Sequence, residues 1–158
     1  MQSSANIALR LHHVGIVVPV IEDARAFYVD VLHYELSTPV IHDPVQTAFV
    51  QFFSIPGSDH FLELVAPDGP NSKLLKASKK GPPLNHLCYS CDEIARTISS
   101  LEESGCFVIQ RPVPAVAFDG RPIAWLMSPD GLLLELVEGI AESAVFPKMG
   151  SDHSSPNR

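Results

Sequence analysis

Phe61-Leu62-Glu63-Leu64-Val65-Ala66-Pro67 is the stretch on which the reading of this 158-residue chain turns. It is an apolar, strand-like run with a single carboxylate inside it. Strand side chains alternate between faces, so Glu63 shares a face with Phe61 and Val65. An ionised carboxylate on such a face is costly unless it is paired or bound to a metal. A lone case is explained well enough by an edge strand that uses charge against aggregation. Here the stretch returns as Leu133-Leu134-Glu135-Leu136-Val137-Glu138-Gly139, where Glu135 shares a face with Leu133 and Val137.

Working outward from both copies exposes a repeat. Ile55-Pro56-Gly57 leads into the first copy and Ser128-Pro129-Asp130-Gly131 into the second. Leu11-His12-His13-Val14 answers Leu84-Asn85-His86-Leu87, and Glu22-Asp23-Ala24-Arg25 answers Glu93-Ile94-Ala95-Arg96. The offsets agree: 13 to 86 is 73, and 63 to 135 is 72. A duplicated module is the plainest account.

Residue patterning assigns each module a strand, a helix and then three strands, with one further short strand candidate in the second, which makes the fold class α+β. In the first module strands are expected over Leu11–Val18, Glu35–Ile41, Gln46–Ile55 and His60–Ala66, with a helix over Glu22–Leu32. In the second they are expected over Leu84–Ser90, Phe107–Gln110, Ala115–Phe118, Ile123–Met127 and Leu132–Glu138. Its helix runs over Asp92–Ser104, with Gly105 as C-cap. The module boundaries are 9–67 and 84–139. Residues 68–83 read as a linker with a short helix near Ser72–Ser78. Residues 140–158 read as a flexible tail.

Composition narrows the function. An apolar fraction of 46% and a charged fraction of 18% are those of an ordinary globular chain. A net charge of −7 argues against nucleic-acid binding, which needs clustered Lys and Arg. Lys73, Lys76, Lys79 and Lys80 form only a small basic cluster, read as a solvated helix end. No run is long and apolar enough to span a membrane, and no secretory signal opens the chain, so a cytoplasmic location is expected. Cys88 and Cys91 form a C-x-x-C, but no second pair exists to complete a zinc site and no thioredoxin-like pattern surrounds it. Buried thiols in a reducing compartment are the expectation.

Each module therefore supplies one His on its first strand and one Glu on its last. The internal spacings match: 13 to 63 is 50, and 86 to 135 is 49. Modules that fold alike and pack about a pseudo-twofold axis bring His13, Glu63, His86 and Glu135 to one point. Two imidazoles and two carboxylates suit one divalent ion: zinc, nickel, cobalt, manganese or ferrous iron. Positions left open on such an ion are where a substrate oxygen binds. His12 is expected to point to the opposite face from His13. His33, His42 and His60 have no counterpart in the other half and read as surface or rim residues.

These residues resemble the vicinal-oxygen-chelate superfamily, also called the glyoxalase/bleomycin-resistance/dioxygenase fold. The resemblance covers about residues 9 to 139. It rests on His13-Val14-Gly15-Ile16-Val17-Val18, on Ala26-Phe27-Tyr28-Val29-Asp30-Val31-Leu32, on Leu62-Glu63-Leu64-Val65, on Asn85-His86-Leu87 with Asp92-Glu93-Ile94, and on the Ser-Pro-Asp-Gly turn before Glu135. It implies tandem βαβββ modules forming a curled mixed sheet around a metal cavity, with His13, Glu63, His86 and Glu135 as ligands. Within the superfamily the chain looks most like methylmalonyl-CoA epimerases, and its ligand set is similar to that of bacterial glyoxalase I. Those epimerases place a proton-transferring Glu on the strand before the first ligand Glu. That position falls at Gln51 here, and Gln is no base.

The resemblance implies a metal-dependent isomerase or lyase, epimerase- or glyoxalase-like. It removes a proton next to a metal-chelated carbonyl of an oxo or acyl compound, thioesters included, and works as a homodimer. Glu135 and Glu63 are then the acid-base groups and Gln51 a substrate-orienting group. Phe49, Phe53, Phe118, Trp125 and Met127 are the candidates for the cavity wall. The competing readings are a non-catalytic small-molecule binding or resistance protein of the same fold, and a metal-dependent dioxygenase, a branch that uses three such ligands.

Overall fold

The computed structural model describes residues 7–81 and 83–139. The expected tail at 140–158 lies outside them. The chain folds as β1 (Arg10–Val17), α1 (Ile21–Ala26), β2 (Glu35–Leu36), β3 (Ile41–Asp43), β4 (Ala48–Ser54), β5 (Phe61–Pro67), α2 (Leu75–Lys80), β6 (Leu84–Cys91), α3 (Ile94–Glu103), β7 (Phe107–Pro114), β8 (Pro122–Met127) and β9 (Leu133–Glu138). The strands form one curled, unclosed mixed sheet in the order β2-β4-β5-β1-β6-β9-β8-β7, with β3 beside β4.

The repeat is visible in the pairing. β1 runs parallel to β5, β6 runs parallel to β9, and β1 and β6 meet antiparallel at the centre. The four central strands are thus β5-β1-β6-β9, one for each of Glu63, His13, His86 and Glu135. Alternation sorts the rest. On the outer face, Ile21 of α1 packs with Phe53, Leu62, Leu64 and Ala66. Ile94 and Ile98 of α3 pack with Ala124, Leu126 and Leu136. The inner face carries Phe52, Val65, Phe118 and Val137. Burying one apolar face of each helix is what fixes it to the sheet.

α3 ends as the sequence suggests. Gly105 has φ +92°, its N–H donates to Glu102 O at 3.0 Å, and the Cys106 N–H donates to Leu101 O at 2.9 Å. This is a Schellman closure, which needs a left-handed residue at the glycine position.

Three expected elements differ. The helix over Glu22–Leu32 is α-helical only to Ala26, then becomes a π-helical turn at Phe27–Val31, closed by Leu32 N–H to Phe27 O at 3.2 Å. The strand over Glu35–Ile41 is split into β2 and β3. The stretch Ala115–Phe118 is not a strand. The Ala115 carbonyl accepts from both Phe118 and Gly120, and left-handed Asp119 and Gly120 complete a turn around a short 3₁₀ helix at Val116–Phe118. β7 instead runs on to Pro114, past the expected end at Gln110.

Cys88 belongs to the inner cluster and Cys91 to the outer, so the C-x-x-C pair straddles the sheet and both thiols are free. Burial pushes both thiols up. No helix among the described residues is long and apolar enough to cross a membrane.

Candidate metal centre

His13 Nε2 and His86 Nε2 lie 3.0 Å apart. Glu63 Oε2 is 3.2 Å from the first and 3.0 Å from the second, and Glu135 Oε2 is 3.2 and 3.3 Å from them. One donor atom from each residue thus falls within 4.8 Å of all the others. All four residues are buried, His13 completely. They sit on adjacent strands at the middle of the inner face.

The set fits a divalent ion on two grounds. An ion about 2.1 Å from each donor separates neighbouring donors by about 3.0 Å at right angles and about 3.4 Å at tetrahedral angles. The observed spacings fall in that interval. In addition, Glu63 Oε2 is fully buried and aligned with no hydrogen-bond donor, despite lying close to both rings. A buried carboxylate oxygen in that state is explained by a cation at the common point.

The ligand orientations have visible supports. His86 Nδ1 is 2.8 Å from Asn85 Oδ1, and His13 Nδ1 is 2.8 Å from His12 Nδ1. Such contacts on the far ring nitrogen set which tautomer faces the ion. The Trp125 ring meets His86 edge-on, centroids 4.8 Å apart. Gly15 pairs with His86 across β1 and β6. A Cβ placed on Gly15 would fall 2.1, 2.4 and 2.6 Å from His86 Cε1, Nδ1 and Nε2. The imidazole therefore lies across a backbone position that only glycine leaves open. In the mirrored place of the repeat, His13 pairs with Cys88.

In the metal-free chain the cluster holds protons. Burial opposes charging His86, but its contacts with Glu135 and Glu63 outweigh burial and raise it from 6.5 to about 9. His13 is raised in the same way. Burial pushes Glu63 and Glu135 up, and the two histidines pull both down further, so the net shift is downward. The stability contributed by the raised histidines is complete below about pH 6.5 and is lost as pH rises through about 9. That of the lowered carboxylates is present above about pH 4.5 and lost below it. Urea melts of chelator-treated protein are expected to show a stability maximum between about pH 5 and 6.5 and a decline toward pH 9. In His86→Ala the alkaline decline should flatten.

Glu63, His86 and Glu135 open onto a cavity of about 540 Å³ whose walls include Val50, Val65, Phe118, Ile123 and Met127. Asp43, Gln46 and Lys73 also line it. Phe118, Trp125 and Met127 thus stand where the sequence reading put them. Phe49 and Phe53 do not. Phe49 is partly exposed beside His42, and Phe53 packs against Tyr28 on the outer face.

Gln51 is corrected for the same reason. The β4–β5 register sets Phe52 opposite Glu63 and Gln51 opposite Leu64, so Gln51 faces outward. Its amide Nε2 donates to Thr38 O at 3.0 Å, beneath the sheet rather than in the cavity. His12 is corrected too. The β1–β6 register shifts between Leu11 and His13, and this bulge breaks the alternation. His12 is consequently buried beside Phe61 and Phe118, and burial lowers it to about 3. His42 is exposed and pairs with Asp68 at 2.9 Å. Asp43, Gln46, Gly15 and Phe52 were missed. Only the hairpin register and the packing of the first module onto the second reveal them.

A duplicated βαβββ unit whose four central strands each give one ligand-type side chain to a shared centre defines a class of paired-module metal protein. The chain belongs to the Glyoxalase/Bleomycin resistance protein/Dioxygenase superfamily, whose family model matches residues 12–125. It is similar to the ethylmalonyl-CoA/methylmalonyl-CoA epimerase of Cereibacter sphaeroides, 32% identical over an alignment of 131 residues, with 80% of this chain and 96% of that protein covered. It is also similar to the mitochondrial methylmalonyl-CoA epimerase of Bos taurus, at 32% identity over 80% of this chain and 73% of the relative. The crystal structure of methylmalonyl-CoA epimerase from Mycobacterium tuberculosis superposes with a TM-score of 0.74 at 24% identity, covering 89% of this chain and 94% of that one. Both of these curated relatives are named epimerases, in agreement with the epimerase-like reading of the sequence.

Proposed function

We propose that this chain is a divalent-metal-dependent epimerase of acyl thioesters. One observation carries the reading: four buried donor atoms of His13, Glu63, His86 and Glu135 converge on the wall of an apolar cavity. These four residues hold the ion. When bound, it supplies Lewis-acid stabilisation of the negative charge that grows on a substrate oxygen as a proton leaves the adjacent carbon. The substrate is an acyl thioester with a second oxygen near that carbon, the chemistry named for the relatives. A homodimer is part of this proposal, because the family resemblance implies it.

The proton work falls to the carboxylates. Among the described residues lining the cavity, only Asp43, Glu63 and Glu135 carry one. Glu63 and Glu135 are contributed by β5 and β9, on opposite flanks of the central pair, so they address the reacting carbon from two sides. One takes the proton and the other returns it on the opposite face. Each is held in its weakly basic form by the two histidines. A carboxylate that swings away from them stays desolvated, and burial alone raises its basicity.

Incubating the metal-loaded protein with methylmalonyl-CoA in deuterium oxide tests this reading. Deuterium uptake at the carbon between the two carbonyl groups, with conversion of a single epimer into a mixture of both, is expected. Turnover that consumes oxygen, or binding with no exchange, contradicts it.

Gly15 gives a second check. Gly15→Ala is expected to turn the His86 ring off the centre and to weaken cobalt or zinc binding by at least about tenfold, the cost of about 1.4 kcal/mol. On a His86→Ala background the added methyl enters the space left by the ring and should change affinity little. Calorimetric titration of the single and double variants measures both.

A further inference from the structure

Two hydrogen-bond donors in the cavity wall are left over by the metal centre. Trp125 Nε1 and Gln110 Nε2 are each buried and donate to no other described residue. Both side chains line the same cavity as His86 and Glu135. They are also neighbours, since Gln110 pairs with Trp125 across β7 and β8. The register shifts on both sides of Gln110, between Val108 and Gln110 and again before Val113. Bulges of this kind re-aim a side chain and are frequent beside active sites. Trp125 in turn stands opposite Glu135 in the β8–β9 register and against the His86 ring. A buried donor left without an acceptor is unfavourable, and two side by side in a cavity wall mark the place of an acceptor that arrives with the ligand.

We propose that Trp125 and Gln110 form a two-donor subsite for an uncharged carbonyl oxygen of the substrate, next to the oxygens held at the metal. Both donors are neutral. Glu135 lies directly across from Trp125, and the only Lys or Arg lining the cavity among the described residues is Lys73, whose ammonium donates to Val45 O at 3.2 Å. A second carboxylate at this point meets like charge and no cation, whereas an amide, ester or thioester carbonyl accepts two neutral hydrogen bonds at no such cost. The subsite rests on the metal-centre reading and specifies its substrate class: a chelating oxygen pair with a further neutral carbonyl beside it.

Trp125 is the chain's single tryptophan, so its indole N–H gives one reporter resonance. The test uses the zinc-loaded full chain, ¹⁵N-labelled, with three small hydroxamates. Acetohydroxamate offers only the chelating pair. The monohydroxamate of malonamide adds a neutral amide carbonyl, and the monohydroxamate of malonic acid adds a carboxylate. The amide probe should bind about tenfold more tightly than acetohydroxamate and move the indole proton downfield, as one added hydrogen bond does. Acetohydroxamate should leave that resonance in place. Gln110→Met should weaken the amide probe several-fold and leave acetohydroxamate affinity unchanged, and Trp125→Phe, which keeps a ring against His86, should lower the ratio of amide-probe to acetohydroxamate affinity several-fold. An unmoved indole resonance with the amide probe overturns the proposal, as does tighter binding of the carboxylate probe. Failure of acetohydroxamate itself to bind the zinc-loaded protein removes the chelating centre, and the subsite with it.

Discussion

Glu135→Gln and Glu63→Gln each keep the metal ion and lose epimerisation by about 10²–10⁴-fold, the range for removing a general acid or base. An amide retains an oxygen that can ligate but cannot take up a proton near neutral pH. The two losses should differ in kind. Glu63 and Glu135 lie on opposite flanks of the centre, so each variant strands a different half of the reaction. One should still exchange the reacting proton of one substrate epimer with solvent, and the other that of the opposite epimer, while neither converts one epimer into the other. Chiral analysis of deuterium uptake from each pure epimer reads this directly. Equal, complete loss of exchange in both variants assigns the proton work to another group. Asp43 is then the remaining cavity carboxylate among the described residues.

The second large effect is on stability. In the metal-free chain two imidazoles and two carboxylates are held about 3 Å apart with little access to water. Their pairing uses protons that a metal ion displaces, so binding is expected to release protons into weakly buffered solution near pH 7.5. An ion present at about 1,000 times its Kd contributes about 4 kcal/mol. For a domain of this size that corresponds to a rise of roughly 8–16 °C in Tm. Chelator should reverse the rise, and His86→Ala should abolish most of it. Differential scanning calorimetry across a metal titration supplies both numbers. A Tm that ignores divalent ions removes the basis for the whole site.

Much of this was legible in the sequence because the signal was duplicated. A single buried Glu on a strand has several explanations. Glu63 and Glu135, each preceded at near-equal spacing by a strand histidine, have few. The repeat therefore selected the four residues that the structure brings together, and it excluded His33, His42 and His60. What it did not carry was strand parity. Whether Phe52 or Gln51 shares a face with Glu63 depends on the β4–β5 register, which the connection at 55–60 sets. A shift of one residue moves every side chain of β4 to the other face. That is why Phe49, Gln51 and Phe53 fall outside the cavity, while Val50 lines it and Phe52 packs on the inner face against His13 and Phe118. His12 was misread for a related reason, since a bulge suspends alternation where it occurs. Gly15 looked like an ordinary strand glycine, because its meaning lies in the ring of a residue 71 positions away, from 15 to 86. Position-specific tolerance of this kind is a property of the packed pair of modules.

The most direct test of the central claim is metal content per chain. Purified protein is stripped with chelator, reloaded with excess cobalt, desalted and assayed by elemental analysis. The four-residue centre requires one equivalent of cobalt per chain, falling to near zero when His86 and Glu135 are both replaced by Ala in a protein that still melts cooperatively. Retention of a full equivalent by that double variant, or no retention by the unaltered chain, contradicts the account.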